Sequence, residues 1–344
     1  LFFWPAVVGG EVWYQGDVAR VYLPQRAALA RALRQGTLPW WTPELGIGYP
    51  LLAEGQVGAL YPLNWLLHLL LPPAAGVTVA VLCPYAIAAT GAYAYARAMG
   101  CSRPAAFWAG TVLALGGFYL AHLSHLSIVS VVAWLPWSLA FGRRLLAPAS
   151  TTRQPRLGAA AGLAATVALQ LLAGHAQMAL LGLMILAAQG AWLVWSGRAE
   201  RGVGRRLWLW TVAVVVGLAA SAPQWLAGAQ LATVSQRSGG VDSAFFVSYS
   251  FHPLLLATYV APFILGNPYP EGSVELMPYL GVLPLALATG ALWRGGRERW
   301  FWAALGVVGV VLAFGRWNPV YELLRHVPVL NLFRVPARYL YWTS

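Results

Sequence analysis

The chain of 344 residues contains no lysine, and charged residues of all kinds make up only 9% of it. Soluble domains carry about 25% charged residues, so this composition excludes an ordinary water-soluble globule. Its two cysteines, Cys83 and Cys101, provide neither a disulfide framework nor a metal-ligand spacing. The glycine-rich nucleotide motifs and the H-E-x-x-H and G-x-S-x-G motifs are also missing. Nucleotide binding and classical hydrolase chemistry therefore have no support.

Apolar segments dominate the sequence instead: 59% of the residues are hydrophobic. They recur in runs of roughly 20, the length that crosses the hydrocarbon core of a bilayer. The runs predict an all-α polytopic membrane protein, with spans at about 74–96, 104–121, 126–142, 157–174, 176–195, 207–231, 276–293 and 300–315, and partial spans at 1–9 and 339–344. Because both ends fall in partial spans, we expect residues 1–344 to be a single transmembrane domain cut from a longer protein.

The arginines divide unequally between the two sides that strict alternation of these spans defines. Thirteen arginines and only two glutamates fall in the short loops 97–103, 143–156, 196–206 and 294–299. The positive-inside rule assigns these loops to the cytoplasm. All six histidines lie on the opposite side, which also carries the long loops 10–73, 232–275 and 316–338. The net charge of +12 therefore follows from topology, and we predict no nucleic-acid partner. We also predict that the active side of the protein is extracytoplasmic.

The first loop, residues 10–73, is the longest of the three outer loops. Its residues Val18 to Gln35 predict a helix in the membrane interface that stops at Gly36. Arginine stems on this helix are expected to snorkel toward lipid phosphates; they belong to Arg20, Arg26, Arg31 and Arg34. The apolar run Tyr61–Leu71 is too short to span and predicts a second interfacial or re-entrant helix.

Three acids of the first loop are the candidate catalytic groups. Asp17 follows a predicted partial span, so its carboxylate lies near the membrane plane, where a general base could deprotonate an acceptor hydroxyl. Its alternative role is the N-cap of the helix that starts near Val18. Glu54 has small and apolar neighbours and could be a second, desolvated acid or base. Glu44 could bind sugar, although a solvated loop acid is the plainer interpretation.

Arginines near the end of the chain are candidates for binding a phosphate. Arg334 and Arg338 are four residues apart, so a helix would place both guanidinium groups on one face. Paired guanidinium groups suit a phosphate or pyrophosphate, but general anchoring to anionic headgroups would use the same residues. Arg237 is a similar, weaker candidate.

Several outer histidines and aromatic residues could contact sugar or acceptor. His122 and His125 have a spacing that could support a metal, but no further ligand completes a site, so a divalent metal stays allowed without support. His175 and Gln177 could hydrogen-bond a sugar or simply form the turn between two spans. Trp41, like its neighbour Trp40, could stack on a sugar or belong to an interfacial aromatic belt.

The run from GDVARVYLP through QGTLPWWTPELGIGYPLLAEGQVGALYPLN resembles the first outer loop of the YfhO-like bacterial membrane proteins, which belong to the GT-C glycosyltransferase superfamily. Further similarities follow in order: GGFYLAHLSHLS, LLAGHAQMAL, APQWLAGAQLATVSQRSG, ELMPYLGVLPLALA and NLFRVPARYL. The resemblance implies a GT-C-like bundle in the bacterial inner membrane. Such an enzyme transfers a sugar from a polyprenyl-phosphate donor to a cell-envelope polymer or lipid acceptor on the outer face. The family's catalytic base maps to Asp17, without an Asp-x-Asp pair.

Two other functions stay open at this stage. A flippase or transporter of lipid-linked sugars would need polar residues along a path through the bilayer midplane. The predicted spans offer little beyond Gln170, Gln189 and Gln224, which disfavours transport. A scaffold role in assembly is not excluded by any feature of the sequence.

Overall fold

The computed structural model describes residues 3–147, 156–197, 202–266 and 273–344. Within these ranges the regular structure is helical, apart from one isolated antiparallel bridge between Thr42 and Tyr49. Five helical stretches in the described residues are long and apolar enough to cross a membrane: Pro73–Ala98, Arg103–Ala121, Leu126–Leu146, Ala176–Ser196 and Val203–Ala220. These stretches confirm the prediction of an all-α, multi-pass membrane protein.

The α-helices are α1 Trp4–Val7, α2 Leu23–Arg34, α3 Leu51–Glu54, α4 Pro62–Leu70, α5 Pro73–Ala98, α6 Arg103–Ala114, α7 Gly117–Ala121, α8 Leu126–Val132, α9 Leu135–Leu146, α10 Arg156–Leu172, α11 Ala176–Ser196, α12 Val203–Ala220, α13 Ala222–Thr233, α14 Ser243–Phe246, α15 Val282–Arg294 and α16 Glu298–Ala313. A π-helical turn, Val18–Tyr22, precedes α2. Short 3₁₀ helices cover Pro253–Tyr259, Ser273–Leu276, Gly315–Trp317, Tyr321–His326, Leu330–Leu332 and Pro336–Thr343.

Some predicted spans have different limits in the structure. The span predicted at 207–231 divides into α12 and α13 at Ser221, because Pro223 cannot continue the backbone hydrogen bonding of α12. The span predicted at 276–293 begins later, at Val282. The partial span predicted at 339–344 is part of the 3₁₀ helix Pro336–Thr343, which packs against α16.

Contacts between Cα atoms group the chain into two compact units. The first unit combines Leu1–Gly110 with Leu123–Leu231, and the second combines Thr111–His122 with Ala232–Ser344. In the first unit α9 lies at the centre and packs against α5, α10, α11 and α12. In the second unit α16 packs against the 3₁₀ helix Pro336–Thr343.

Polar side chains inside the apolar helices of the first unit are bonded to neighbouring helices. The Nε2 atom of Gln170 in α10 donates to the Ser138 hydroxyl of α9 at 2.7 Å, and that hydroxyl donates to Thr166 at 3.0 Å. Gln189 Nε2 donates to the Tyr95 hydroxyl at 2.9 Å. Such interhelical bonds contribute to helix association within a bilayer. They give these residues a packing role, which is a simpler account than a transport path.

The first loop has a small hydrophobic core of its own. Its buried members are Ala28, Leu29, Leu51, Leu52, Val57 and Ala59. The helix predicted at Val18–Gln35 is present as the π-turn plus α2, and Gly36 ends it with a φ of +68°. The predicted second short helix is α4.

The snorkelling predicted for the α2 arginines is wrong for Arg26, whose side chain is buried against the neighbouring helices rather than directed outward. Arg31 pairs with Glu44, and Arg34 donates to the carbonyl oxygens of His68 and Leu71 at 3.3 and 3.1 Å. Arg34 thus satisfies carbonyl groups at the end of α4 that the helix itself leaves free.

Two glycines bring the backbone of the first loop against the turn between α10 and α11. Gly55 and Gly174 have φ angles of +89° and +98°. A Cβ atom added at Gly174 would lie 2.0 Å from the carbonyl oxygen of Gly55, closer than any real contact. Glycine is therefore required at position 174 both by its backbone conformation and by its neighbour.

We predict that Gly174→Ala lowers the free energy of unfolding by about 2–4 kcal/mol, because left-handed backbone strain adds to a steric clash. The matched control is Gly202→Ala, at a φ of +80° with open space around its Cβ position. This control should show the backbone strain alone, about 1 kcal/mol. Thermal unfolding of both variants in detergent measures the difference, and equal losses would contradict the proposed close contact.

Candidate functional site

Asp17 lies next to His125 in the first unit. Its Oδ2 atom is 3.5 Å from the Nε2 atom of His125, with side-chain exposures of 49% and 22%. Gly16 precedes Asp17 with a φ of +56°, a backbone conformation that glycine adopts easily. The Asp17 carboxylate is therefore held against the imidazole of His125, while about half of the Asp17 side-chain surface remains accessible.

Asp17 does not use its side chain as a helix cap. It occupies the N-cap position of the turn Val18–Tyr22, but its carboxylate makes no capping hydrogen bond there. Tyr22, at the end of the same turn, shares a 2.8 Å hydrogen bond with the Ser127 hydroxyl at the start of α8. Burial raises the pKa of Tyr22 and keeps this phenol neutral. The turn is thus fixed to α8, and the Asp17 carboxylate is left for other interactions.

Glu54 has different partners from Asp17. Its carboxylate accepts hydrogen bonds from the backbone and side-chain nitrogens of Gln56 at 3.0 and 2.5 Å. It also bonds Tyr49, whose pKa is raised by burial first and by Glu54 second. This arrangement at the end of α3 is a local hydrogen-bonded cluster.

Glu44 and Trp41 lie on the surface of the same loop. Glu44 forms an ion pair with Arg31, and both side chains are about half exposed. Trp41 is exposed, and its indole ring packs on the backbone of Gly48, where a Cβ atom would lie 2.3 Å from the ring. Glycine at position 48 therefore allows the ring to lie flat, with surface left for another planar or apolar group.

A buried ionic cluster in the second unit centres on Glu275. Arg338 donates to its carboxylate from Nε at 3.1 Å and from Nη2 at 2.6 Å. The Nε2 atom of His122 contacts the other oxygen at 3.0 Å, while Nδ1 contacts the Phe118 carbonyl oxygen at 2.8 Å. Each ring nitrogen of His122 thus faces an oxygen that accepts hydrogen bonds, one from the Phe118 carbonyl and one from the Glu275 carboxylate.

The electrostatics of Glu275 follow from these contacts. Burial acts to raise its pKa, but Arg338 and then the hydrogen bond and charge of His122 outweigh burial, so the pKa lies well below the ordinary value of 4.5. Glu275 is therefore an ionised carboxylate between the Arg338 guanidinium and the His122 ring. Sequence reasoning missed it, although an acid directly before the apolar run predicted at 276–293 was a signal of a specific partner.

The two end-of-chain arginines do not share a helical face as predicted. Val335, with a φ of +66°, separates Arg334 from the 3₁₀ helix that begins at Pro336. Arg338 contacts Glu275, whereas the Arg334 guanidinium lies 4.8 Å from the ring centre of Phe245 and 5.9 Å from that of Tyr249.

Arg237 approaches the same aromatic ring as Arg334. Its guanidinium lies 5.9 Å from the Phe245 ring centre, and its Nη1 atom donates to the Leu332 carbonyl oxygen at 3.1 Å. Tyr249 has a φ of +58°, an uncommon conformation for an aromatic residue. Strained backbone of this kind is found at ligand-binding sites. Two guanidinium groups at one ring form a local positive patch.

The remaining sequence candidates have structural contacts. The side chain of His175 accepts a hydrogen bond from the Met178 amide at 3.2 Å and so caps α11. Gln177, in the first turn of that helix, is buried. His122 and His125 have separate acidic partners, Glu275 and Asp17. Among the residues that the structure describes, no group of three or more His, Cys, Asp or Glu side chains could hold a metal ion.

Comparison with protein-family models, curated proteins and solved structures gives no match to this chain. Membership of the YfhO-like proteins therefore stays a prediction from the quoted motifs.

Proposed function

We propose that this protein is a membrane glycosyltransferase that takes a sugar from a polyprenyl-phosphate donor and passes it to a cell-envelope acceptor on the outer face of the bacterial inner membrane. The observation that supports the proposal is the Asp17–His125 pair. The half-exposed carboxylate of Asp17, in the loop that precedes the first apolar helix, is held 3.5 Å from the imidazole of His125 at the start of α8. A general base needs this combination of access and positioning.

In the proposed reaction Asp17 accepts the proton of an acceptor hydroxyl. The oxygen of that hydroxyl forms a bond to the anomeric carbon of the sugar. The bond from this carbon to the phosphate oxygen breaks, and polyprenyl phosphate leaves with the electron pair, which inverts the anomeric configuration. His125 orients the carboxylate through its Nε2 atom and is in this sense a positioning residue.

Arg334 and Arg237 are the proposed contacts for the donor phosphate. Both guanidinium groups lie over the ring of Phe245, and guanidinium groups bind phosphate oxygens through charge-assisted hydrogen bonds. Arg338 was an equal candidate from sequence, but Glu275 already occupies two of its nitrogens. We therefore assign Arg338 to the stability of the second unit.

We predict that Arg334→Ala raises the KM for the lipid-linked donor about 10- to 100-fold, because one charge-assisted hydrogen bond is lost. The control is Arg316→Ala, since Arg316 is an exposed arginine of the same unit. Initial rates over a range of donor concentrations measure both variants. An unchanged KM for Arg334→Ala, or the same increase in the control, would count against this phosphate contact.

The function itself is tested with purified protein in liposomes that contain a radiolabelled polyprenyl-phosphate sugar. Transfer of label to an added acceptor supports the enzyme. Movement of the labelled lipid between leaflets without transfer supports the alternative, a flippase, and would overturn the proposal. The activity is assigned to the proposed site if the rate of sugar transfer does not change with an ionophore and is lost without Asp17.

A further inference from the structure

Arg26 is a buried charge in the first loop, separate from the proposed catalytic pair. Its side chain in α2 is only 1% exposed. Its Nε and Nη1 atoms make no hydrogen bond with any residue in the described ranges. Burial of an isolated charge costs several kcal/mol unless a partner compensates it. A guanidinium group in this position therefore needs a partner.

Deprotonation does not remove the charge of Arg26. Burial lowers its pKa to about 10, which leaves the group protonated at neutral pH; Tyr22 and Tyr61 act in the opposite direction. Their phenol oxygens are already engaged. Tyr22 shares its hydroxyl with Ser127, and Tyr61 accepts a 2.8 Å hydrogen bond from the Trp134 indole.

The described acids of the first loop that have side-chain partners bind elsewhere. Asp17 contacts His125, Glu44 pairs with Arg31, and Glu54 accepts from Gln56. The electrostatic neighbours of Arg26 are the two tyrosines, with no carboxylate among them. Within the described part of the chain, the positive charge is therefore not neutralised by an acidic side chain.

His68 adds a second buried polar group next to Arg26. It is fully buried in α4, which packs against both α2 and α5. Neither of its ring nitrogens makes a hydrogen bond to another described residue. Gly76 of α5 makes room for the ring, because a Cβ atom there would lie 2.8 Å from the His68 Nδ1 atom.

The charged groups that act on His68, Arg26 and Arg34, are both positive. Burial first, and then the charges of Arg26 and Arg34, lower the pKa of His68 to about 3. The ring is therefore neutral and offers one N–H donor beside the guanidinium of Arg26. A cation with unpaired donors and a neutral imidazole donor together favour a negatively charged ligand.

We propose that Arg26 and His68 bind a single small inorganic anion, chloride by size, in the interior of the first loop. A water molecule would satisfy hydrogen bonds but leave the charge of Arg26 uncompensated, whereas an anion does both. A monatomic ion fits best because the surroundings are closed: Tyr22, Tyr61 and His68 are at most 2% exposed. The ion would hold α2 to α4 and stabilise the whole loop.

The test measures thermal unfolding of the purified full chain in detergent at constant ionic strength, with chloride replaced by gluconate. Above the dissociation constant, each tenfold rise in chloride should shift the folding equilibrium about tenfold toward the native state. Bromide should replace chloride, and in crystals its anomalous signal should lie beside Arg26. Stabilisation by inorganic phosphate and not by chloride would overturn the proposal in favour of an oxyanion site.

The variant Arg26→Met should fold, because it replaces a buried charge by an apolar side chain of similar length. It should lose the chloride dependence entirely. Arg31→Met, on the exposed face of the same helix, should keep it. Equal stability of the wild type in chloride and gluconate, or a dependence that survives in Arg26→Met, would overturn the proposal. If Arg26→Met does not fold, the bromide signal of the wild type decides alone.

Discussion

Replacement of Asp17 by asparagine is expected to lower the rate of sugar transfer by about 10²–10⁴-fold, the usual contribution of a general base. Asparagine has the same shape and can still contact His125, but its amide cannot accept the proton of the acceptor hydroxyl. The effect should appear in kcat, with little change in the KM for the donor, because the interaction that is lost belongs to the transition state.

The protein should remain folded in this variant. The Asp17 side chain is half exposed and caps no helix, so its loss removes little from the native state. Thermal unfolding in detergent should therefore match the wild type, which separates a catalytic defect from a structural one.

Glu44→Gln is the matched control for Asp17→Asn. Glu44 is an acid of the same loop with nearly the same exposure, and it pairs with Arg31 instead of a histidine. Its variant should retain transfer activity within about twofold, since exposed ion pairs contribute little. Full activity of Asp17→Asn, or an equal loss in Glu44→Gln, would show that Asp17 is not the base.

The helices were the part of this protein that could be predicted from sequence. Length and apolar composition alone identified α5 and α11, since a bilayer requires long uninterrupted runs. Helix ends could also be predicted where they depend on neighbouring residues in the sequence. Gly36 ends α2 in the left-handed conformation that glycine adopts easily.

The partners of charged groups could not be predicted in the same way. Glu275 and His122 are separated by 153 residues, and Glu275 and Arg338 by 63, so no local pattern links them. Arg26 shows the converse problem. A basic residue on a short amphipathic helix predicts snorkelling, and only the packing of α4 and α5 over that position decides that it is buried.

Loss of the Glu275 carboxylate is expected to be the largest change in stability that a single substitution causes in the second unit. We predict that Glu275→Gln lowers the free energy of unfolding by about 3–5 kcal/mol, because it leaves the largely buried guanidinium of Arg338 without its counter-ion. Glu322→Gln is the control, because that acid pairs with Arg325 and both side chains are more than one-third exposed. It should cost about 0–1 kcal/mol.

The double variant Glu275→Met with Arg338→Met separates the charge from the packing. Removal of both partners leaves fewer unpaired charges, so the double variant should be less destabilised than Glu275→Gln alone. Unfolding of the three proteins in detergent at neutral pH gives the comparison. If the double variant is the least stable, the cluster contributes through its net attraction and not through the cost of an unpaired charge.

The dependence on pH gives an independent measure of the same carboxylate. Folding holds the pKa of Glu275 below its ordinary value of 4.5, because Arg338 and His122 together outweigh the opposing effect of burial. A group whose pKa is lowered on folding stabilises the native state above its unfolded pKa, and this stability is lost as the pH falls toward the folded pKa. Wild-type stability should therefore decrease below about pH 4.5, with a contribution that Glu275→Gln lacks. Because the largely buried guanidinium of Arg338 faces the same carboxylate, protonation of Glu275 would leave that charge unopposed. The wild type and the Glu322→Gln control both keep Glu275, so both should lose more stability in acid than Glu275→Gln. Identical acid profiles for the wild type and Glu275→Gln would show that Glu275 is not ionised in the native state.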